Sequence, residues 1–89
     1  LDQGFFRVRF DRLTQREKVY LRALSELDGD VHRSGDIAER LKVNVQSVSP
    51  IRNSLIKKGM IYSPAHGDTE FTVPLFADFM KRVMPQFEV

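Results

Sequence analysis

Gln46, Ser49, Asn53 and Lys57 are spaced at three- and four-residue steps, with Pro50 beside Ser49. That spacing gathers side chains on one face of an α-helix. The amides of Gln46 and Asn53 are suited to pairing with adenine edges, and the Lys57 ammonium to guanine or a phosphate oxygen. Ser49 stands at the flank of this face, and Pro50 adds only a rigid apolar edge. Arg33, Lys42, Lys58 and His66 surround it in the chain, three cations and a histidine suited to phosphate contact. The competing reading of the same face is a solvated polar surface, which the pattern fits equally. For Lys57 and Lys58, a place in the last helical turn is a second structural alternative, since cations there complement the helix dipole.

Other chemistry finds little support. His32 and His66 stand far apart, without metal-ligand spacing. Asp28, Gly29 and Asp30 lack the further ligands of a calcium loop and read as a turn. No Walker-type phosphate loop occurs, and no serine, histidine and acid grouping is suggested. The chain contains no cysteine, which excludes disulfides, thiolate metal sites and a cysteine nucleophile. No catalytic residue, metal site or cofactor is therefore expected within it.

A length of 89 residues predicts one domain. Fourteen basic against 12 acidic side chains leave a net charge of +2. An excess this small neither requires nor forbids a polyanionic partner; placement decides. No apolar run is long enough to span a bilayer, and no signal-peptide pattern opens the chain. Together with the absence of cysteine, this predicts a cytoplasmic protein without membrane partners. The chain begins at Leu1 rather than methionine, so a piece of a longer protein is expected.

The elements that must position these residues follow from periodicity. Phe6, Val8 and Phe10 alternate with Arg7 and Arg9, which predicts a strand. An unpaired strand edge there would invite a homodimer through residues 5–10. Thr14 and Glu17 have capping-box spacing, and Tyr20, Leu21, Leu24 and Leu27 then give a helix one apolar face, with Gly29 as its C-terminal cap. A short strand is expected at residues 31–33. Ser34 is the expected N-cap of a second helix, with Asp36 favouring its dipole and Ile37, Ala38 and Leu41 buried.

The third helix carries Val48, Ile51, Leu55 and Ile56 inward. A proline costs little in a first helical turn and roughly 3 kcal/mol in the interior. This favours a start near Gln46 or Ser47 over a start capped by Asn44. Arg52 lies about 40° from the centre of the apolar stripe and is expected to pack its stem on the core and pair with Asp36 or Glu39. Gly59 is placed to end this helix. Ile61, Phe71 and Val73 then share one face of a hairpin, and His66 falls at its tip. Pro74 suits the first turn of a last helix bearing Leu75, Phe76, Phe79, Met80 and Val83. Pro85 ends it. The predicted fold is mainly α with a small β-hairpin, a winged helix-turn-helix. It spans residues 14–84, after an extended segment 1–13 and before a tail 85–89.

The stretches RFDRLTQREKVYLRAL, RSGDIAERL and SVSPIRNSLIKKGMIYSPAHGDTEFTVPLFADFM together resemble the C-terminal winged-helix region of a prokaryotic AAA+ ATPase family related to origin-initiator ATPases. The resemblance implies an ATPase module N-terminal to this chain, with ATP and magnesium bound in that parent protein and not here. It also implies a winged helix that binds double-stranded DNA. The alternatives are a protein-interaction or autoregulatory winged helix that packs on the ATPase module, or a fragment of a transcription regulator.

Overall fold

Thr14 starts the helix around which the other elements pack. Its Oγ1 accepts the Glu17 amide at 3.2 Å, and Glu17 Oε1 accepts the Thr14 amide at 2.8 Å, so the capping box is complete. The computed structural model describes residues 3–27, 32–65, 67–73 and 75–86. Among them the elements run α1 (Gln3–Asp11), α2 (Gln15–Glu26), β1 (His32–Arg33), α3 (Ser34–Leu41), α4 (Val45–Lys57), β2 (Ile61–Tyr62), β3 (Asp68–Phe71) and α5 (Phe76–Val83). Tyr20, Leu21 and Leu24 are buried and Leu27 packs at the core's margin.

The segment expected as a strand is the helix α1. Phe6 and Phe10 fit both periods, because four residues is two strand repeats and about one helical turn. Val8 and Leu13 separate the readings: a strand would bury Val8 with the two rings, yet it is 54% exposed, while Leu13 is buried. Phe6 meets Phe76 and Phe79 with ring centroids 5.9 and 5.2 Å apart, and Phe10 meets Phe79 at 5.9 Å. Packing against α5 thus overrides local β preference. The homodimer through residues 5–10 loses its basis, since no strand edge is there. A boundary at residue 14 does not divide the fold either, because Phe6, Phe10 and Leu13 belong to the same core as α2 and α5.

Helices α3 and α4 form the helix-turn-helix. Ile37, Ala38 and Leu41 are buried as expected. Ser34 is the first helical residue rather than the cap; Arg33 holds the cap position and supplies no side-chain bond. Lys42 closes α3 in the left-handed region at φ 59, and the Val43 amide returns to the Ala38 carbonyl at 3.0 Å. Helix α4 starts at Val45, one or two residues earlier than the proline rule predicts, with Asn44 as its cap. Asn44 Oδ1 accepts the Ser47 amide at 3.0 Å and the Ser47 hydroxyl at 2.9 Å, and Pro50 sits inside the helix. The ring removes the amide that would bond the Gln46 carbonyl. Gln46 and Pro50 are both exposed, so water can serve that carbonyl. The Asn44 cap and the burial of Val48 offset the rest.

The sheet is antiparallel in the order β1-β3-β2. His32 stands opposite Thr69 and Arg33 opposite Asp68; Ile61 stands opposite Phe71 and Tyr62 opposite Glu70. Ile61 and Phe71 therefore share a face, and Val73 is buried beyond it. The fold is a mainly α winged helix-turn-helix. Phe76, Phe79 and Met80 turn inward from α5, but Leu75, expected with them, is 60% exposed because it occupies the cap at φ 66. Gly29, the Asp28–Asp30 turn and Pro74 lie outside the described residues.

Replacing Pro50 by alanine restores an amide to α4 and removes the ring's clash. Pro50→Ala is expected to stabilise the chain by up to about 3 kcal/mol, read as a higher urea midpoint. A lower midpoint would show that the ring is needed by its surroundings.

Candidate nucleic-acid interface

The outer face of α4 presents the residues its periodicity predicts. Gln46, Ser49, Pro50, Asn53 and Lys57 are all exposed, while Val48 and Leu55 are buried beneath. Ser49 turns its hydroxyl back to the Val45 carbonyl at 3.3 Å, so it is partly engaged by its own helix. Among the described residues no hydrogen bond or ion pair engages the side chains of Gln46, Asn53 or Lys57, which leaves both amides and the ammonium available.

The flanking cations divide. Lys42 is exposed at the turn between α3 and α4 and borders a polar recess shared with Asp36, Glu39 and Arg40, so acidic neighbours weaken its field. Arg33 is exposed, with Nε 3.8 Å from Asp68 Oδ1. His66 lies outside the described residues. Lys58 does not belong to the site: its Nζ lies 2.6 Å from Glu17 Oε1 and donates to the Arg12 carbonyl at 3.0 Å. The residue type suits a phosphate, but a buried carboxylate 41 residues away claims it. That leaves Arg33, Lys42 and Lys57 as the cations of this face among the described residues.

Arg52 is structural, as expected, but with other partners. Its Nε donates to Thr69 Oγ1 at 2.9 Å and its Nη2 to the Asp68 carbonyl at 3.0 Å, not to Asp36 or Glu39. The guanidinium thereby ties β3 to α4 and sets the hairpin beside the outer face. Beneath this link Tyr20 is fully buried, and burial pushes its phenol pKa up, against the lowering effects of Thr69 and Arg52.

The chain matches the family model described as Domain of unknown function (DUF8462) over residues 3–80. It belongs to the DUF8462 family. No curated protein and no solved structure matches it. The DUF8462 match takes in α1 with the helix-turn-helix, in keeping with one core. Among the described residues of this DUF8462 chain no group of three histidine or acidic side chains could hold a metal, and no helix is long and apolar enough to cross a membrane.

Two buried charges escaped the sequence reading. Arg22, 4% exposed, donates from Nε to the Met84 carbonyl at 2.6 Å and pairs with Glu26. That hydrogen bond lowers the Glu26 pKa against a smaller desolvation. Glu17 was legible as a capping residue but not as a node. Besides Thr14 and Lys58, its Oε2 accepts the Ser54 hydroxyl at 2.6 Å. Burial by itself raises the carboxyl's pKa, but the hydrogen bonds from Lys58, Ser54 and the Thr14 amide, with the Lys58 charge, outweigh it and hold the group at about 2.

A carboxyl whose folded pKa lies below its unfolded value stabilises the fold above the unfolded pKa and loses that contribution as pH falls. For Glu17 the window runs from its ordinary value of 4.5 down to about 2, a contribution on the order of 3 kcal/mol. Glu17→Gln is expected to be less stable at neutral pH, with a stability gap that closes as pH falls through this window. Urea melts at stepped pH would reveal it; a constant gap would mean that the carboxylate's charge is not what stabilises the node.

Proposed function

We propose that the chain is a winged-helix module that binds duplex DNA weakly, chiefly through phosphates, with the outer face of α4, and that it serves as the C-terminal part of an AAA+ ATPase. The observation that carries the reading is the set of exposed, intramolecularly unengaged groups on that face: two carboxamides and Lys57, with Arg33 and Lys42 beside them. The N-terminal end of such a helix is the part that approaches base edges in helix-turn-helix proteins, and Gln46 lies there. The ATPase context rests on the sequence resemblance; ATP and magnesium would be held by the parent module, and no residue of this chain is assigned to them.

A second reading has its own support. Val19, Leu41, Val43, Val48 and Ile51 line an apolar groove of 430 Å³ between α2, α3 and α4. Of these, Val43 is exposed. A protein-interaction or autoregulatory winged helix, seated on the ATPase module of the same chain, would use such a surface.

Anisotropy titrations of a fluorescent duplex across salt concentrations test the first reading. With Lys58 withdrawn, three cations give this face a contribution of about −2 to −3 to the logarithmic salt slope, and nonspecific dissociation constants of roughly micromolar or weaker. Lys57→Ala should reduce the slope by about one for every sequence, whereas Lys58→Ala should lower stability and leave the slope unchanged. Absence of binding at low salt, or a Lys57→Glu variant that binds as well as the parent, moves the protein-interaction reading to first place.

A further inference from the structure

We propose that the chain carries a second phosphate-binding face, on the α1–α5 side, built from Arg7, Lys18 and Arg82. The guanidinium carbon of Arg7 lies 5.6 Å from the Phe10 ring centroid and 5.7 Å from that of Phe79. Lys18 Nζ stands 4.5 Å from Phe10, and the Arg82 guanidinium carbon 5.8 Å from Phe79. Three helices thus each bring one cation onto a single pair of packed rings. Contacts shorter than 6 Å through Phe10 and Phe79 link Arg7 to the other two, so the charges lie roughly within a Debye length of their neighbours, about 10 Å at 0.1 M salt.

Among the described residues no carboxylate forms an ion pair with any of the three. Lys58, Arg22, Arg40 and Arg33 all have such partners. The rings hold the charged groups themselves through cation–π contact, while Arg7 and Arg82 are exposed and Lys18 is half-buried. Asp11 and Asp78 stand one helical turn from Arg7 and Arg82 without forming an ion pair with them, and three cations held on one pair of rings form a receptor for a polyanion.

The surroundings select the phosphate backbone over an acidic protein. Phe10 is 8% exposed and Phe79 fully covered, so the two rings that gather the cations offer little accessible apolar surface. Protein interfaces concentrate their energy in such a centre, whereas phosphates need only spaced cations. This face is separate from α4. Lys18 lies roughly 160° around α2 from Arg16, and Arg16 borders the groove toward α3 and α4. The choice of duplex DNA as the polyanion rests on the proposed function; the surface itself does not use α4.

The test is a two-dimensional ¹⁵N–¹H titration of the unaltered 89-residue chain with a duplex about one helical turn long, at low salt. Two sets of amide shifts are expected, one on α4 and one around Arg7, Lys18 and Arg82. Each face takes up its own duplex, so each is expected to show a salt slope of about −3, and the combined variant Arg7→Gln, Lys18→Gln, Arg82→Gln should abolish the shifts on α1, α2 and α5 and keep those on α4. No shifts on α1, α2 and α5 would overturn the inference, whatever the stability of the variant. So would shifts there with polyglutamate but not with DNA, which would reassign the face to an acidic protein. If the triple variant weakens binding while Lys57→Ala does not, the α4 reading fails and this one stands; the reverse result removes this face alone.

Discussion

A carboxylate buried at the start of α2 sets the geometry on which the rest of the winged helix depends. Both oxygens of Glu17 are bonded, one to the Thr14 amide and Lys58 and the other to Ser54. An unpaired charge at this depth would cost several kcal/mol, so α4 is held where Ser54 and Lys58 reach it. Lys58 extends the link to the Arg12 carbonyl, between α1 and α2. The end of α4 is shaped for this. Gly59 takes φ 77, the Met60 amide returns to the Leu55 carbonyl at 3.0 Å and the Gly59 amide to Ile56 at 3.0 Å, the closure that a left-handed residue permits. Lys58 is thereby delivered to the carboxylate while Lys57, one residue earlier, points away to solvent.

Two other buried or half-buried cations repeat the device. Arg52 reaches from α4 to β3, and Arg22 reaches from α2 to the carbonyl that follows α5. In each case a donor on a helix meets a backbone acceptor distant in sequence. Burial of Phe6, Phe10, Phe76 and Phe79 supplies much of the non-directional attraction between α1 and α5. Apolar packing of this kind tolerates rotation and sliding, and directional hydrogen bonds do not. The aromatic cluster joins α1 to α5, and the directional links to α4 and its outer face are the polar ones from Ser54, Lys58 and Arg52.

What could be read from sequence was what depends on near neighbours. The Thr14–Glu17 box, the stripe through Tyr20 and Leu24, the inward Ile37 and Leu41, and the exposure of Asn53 and Lys57 all need only local periodicity. The helical state of residues 3–11 was hidden because Phe6 and Phe10 satisfy a strand and a helix alike, and the deciding contact with Phe79 is made far along the chain. The start of α4 departs from the sequence reading because the cost of an interior proline is set there above the value of the Asn44 cap, and the solvent exposure of Gln46 is a tertiary fact. Lys58 suits a phosphate by residue type, although its ammonium is engaged by the buried Glu17 carboxylate.

Charge follows the same logic. A net +2 suggests a nearly neutral surface, but several cations are committed to the chain's own carboxylates and carbonyls. Lys42 and Lys57 on the α4 side, and Arg7, Lys18 and Arg82 at the rings of Phe10 and Phe79, have no such partner among the described residues. The segment joining β2 to β3 reads Ser63, Pro64, Ala65, His66 and Gly67, without a lysine or arginine. A wing of this composition brings little fixed positive charge to a phosphate at neutral pH. Any long-range attraction for a polyanion must therefore originate outside this segment, on Arg33, Lys42 and Lys57 on the α4 side and on Arg7, Lys18 and Arg82 where α1, α2 and α5 meet.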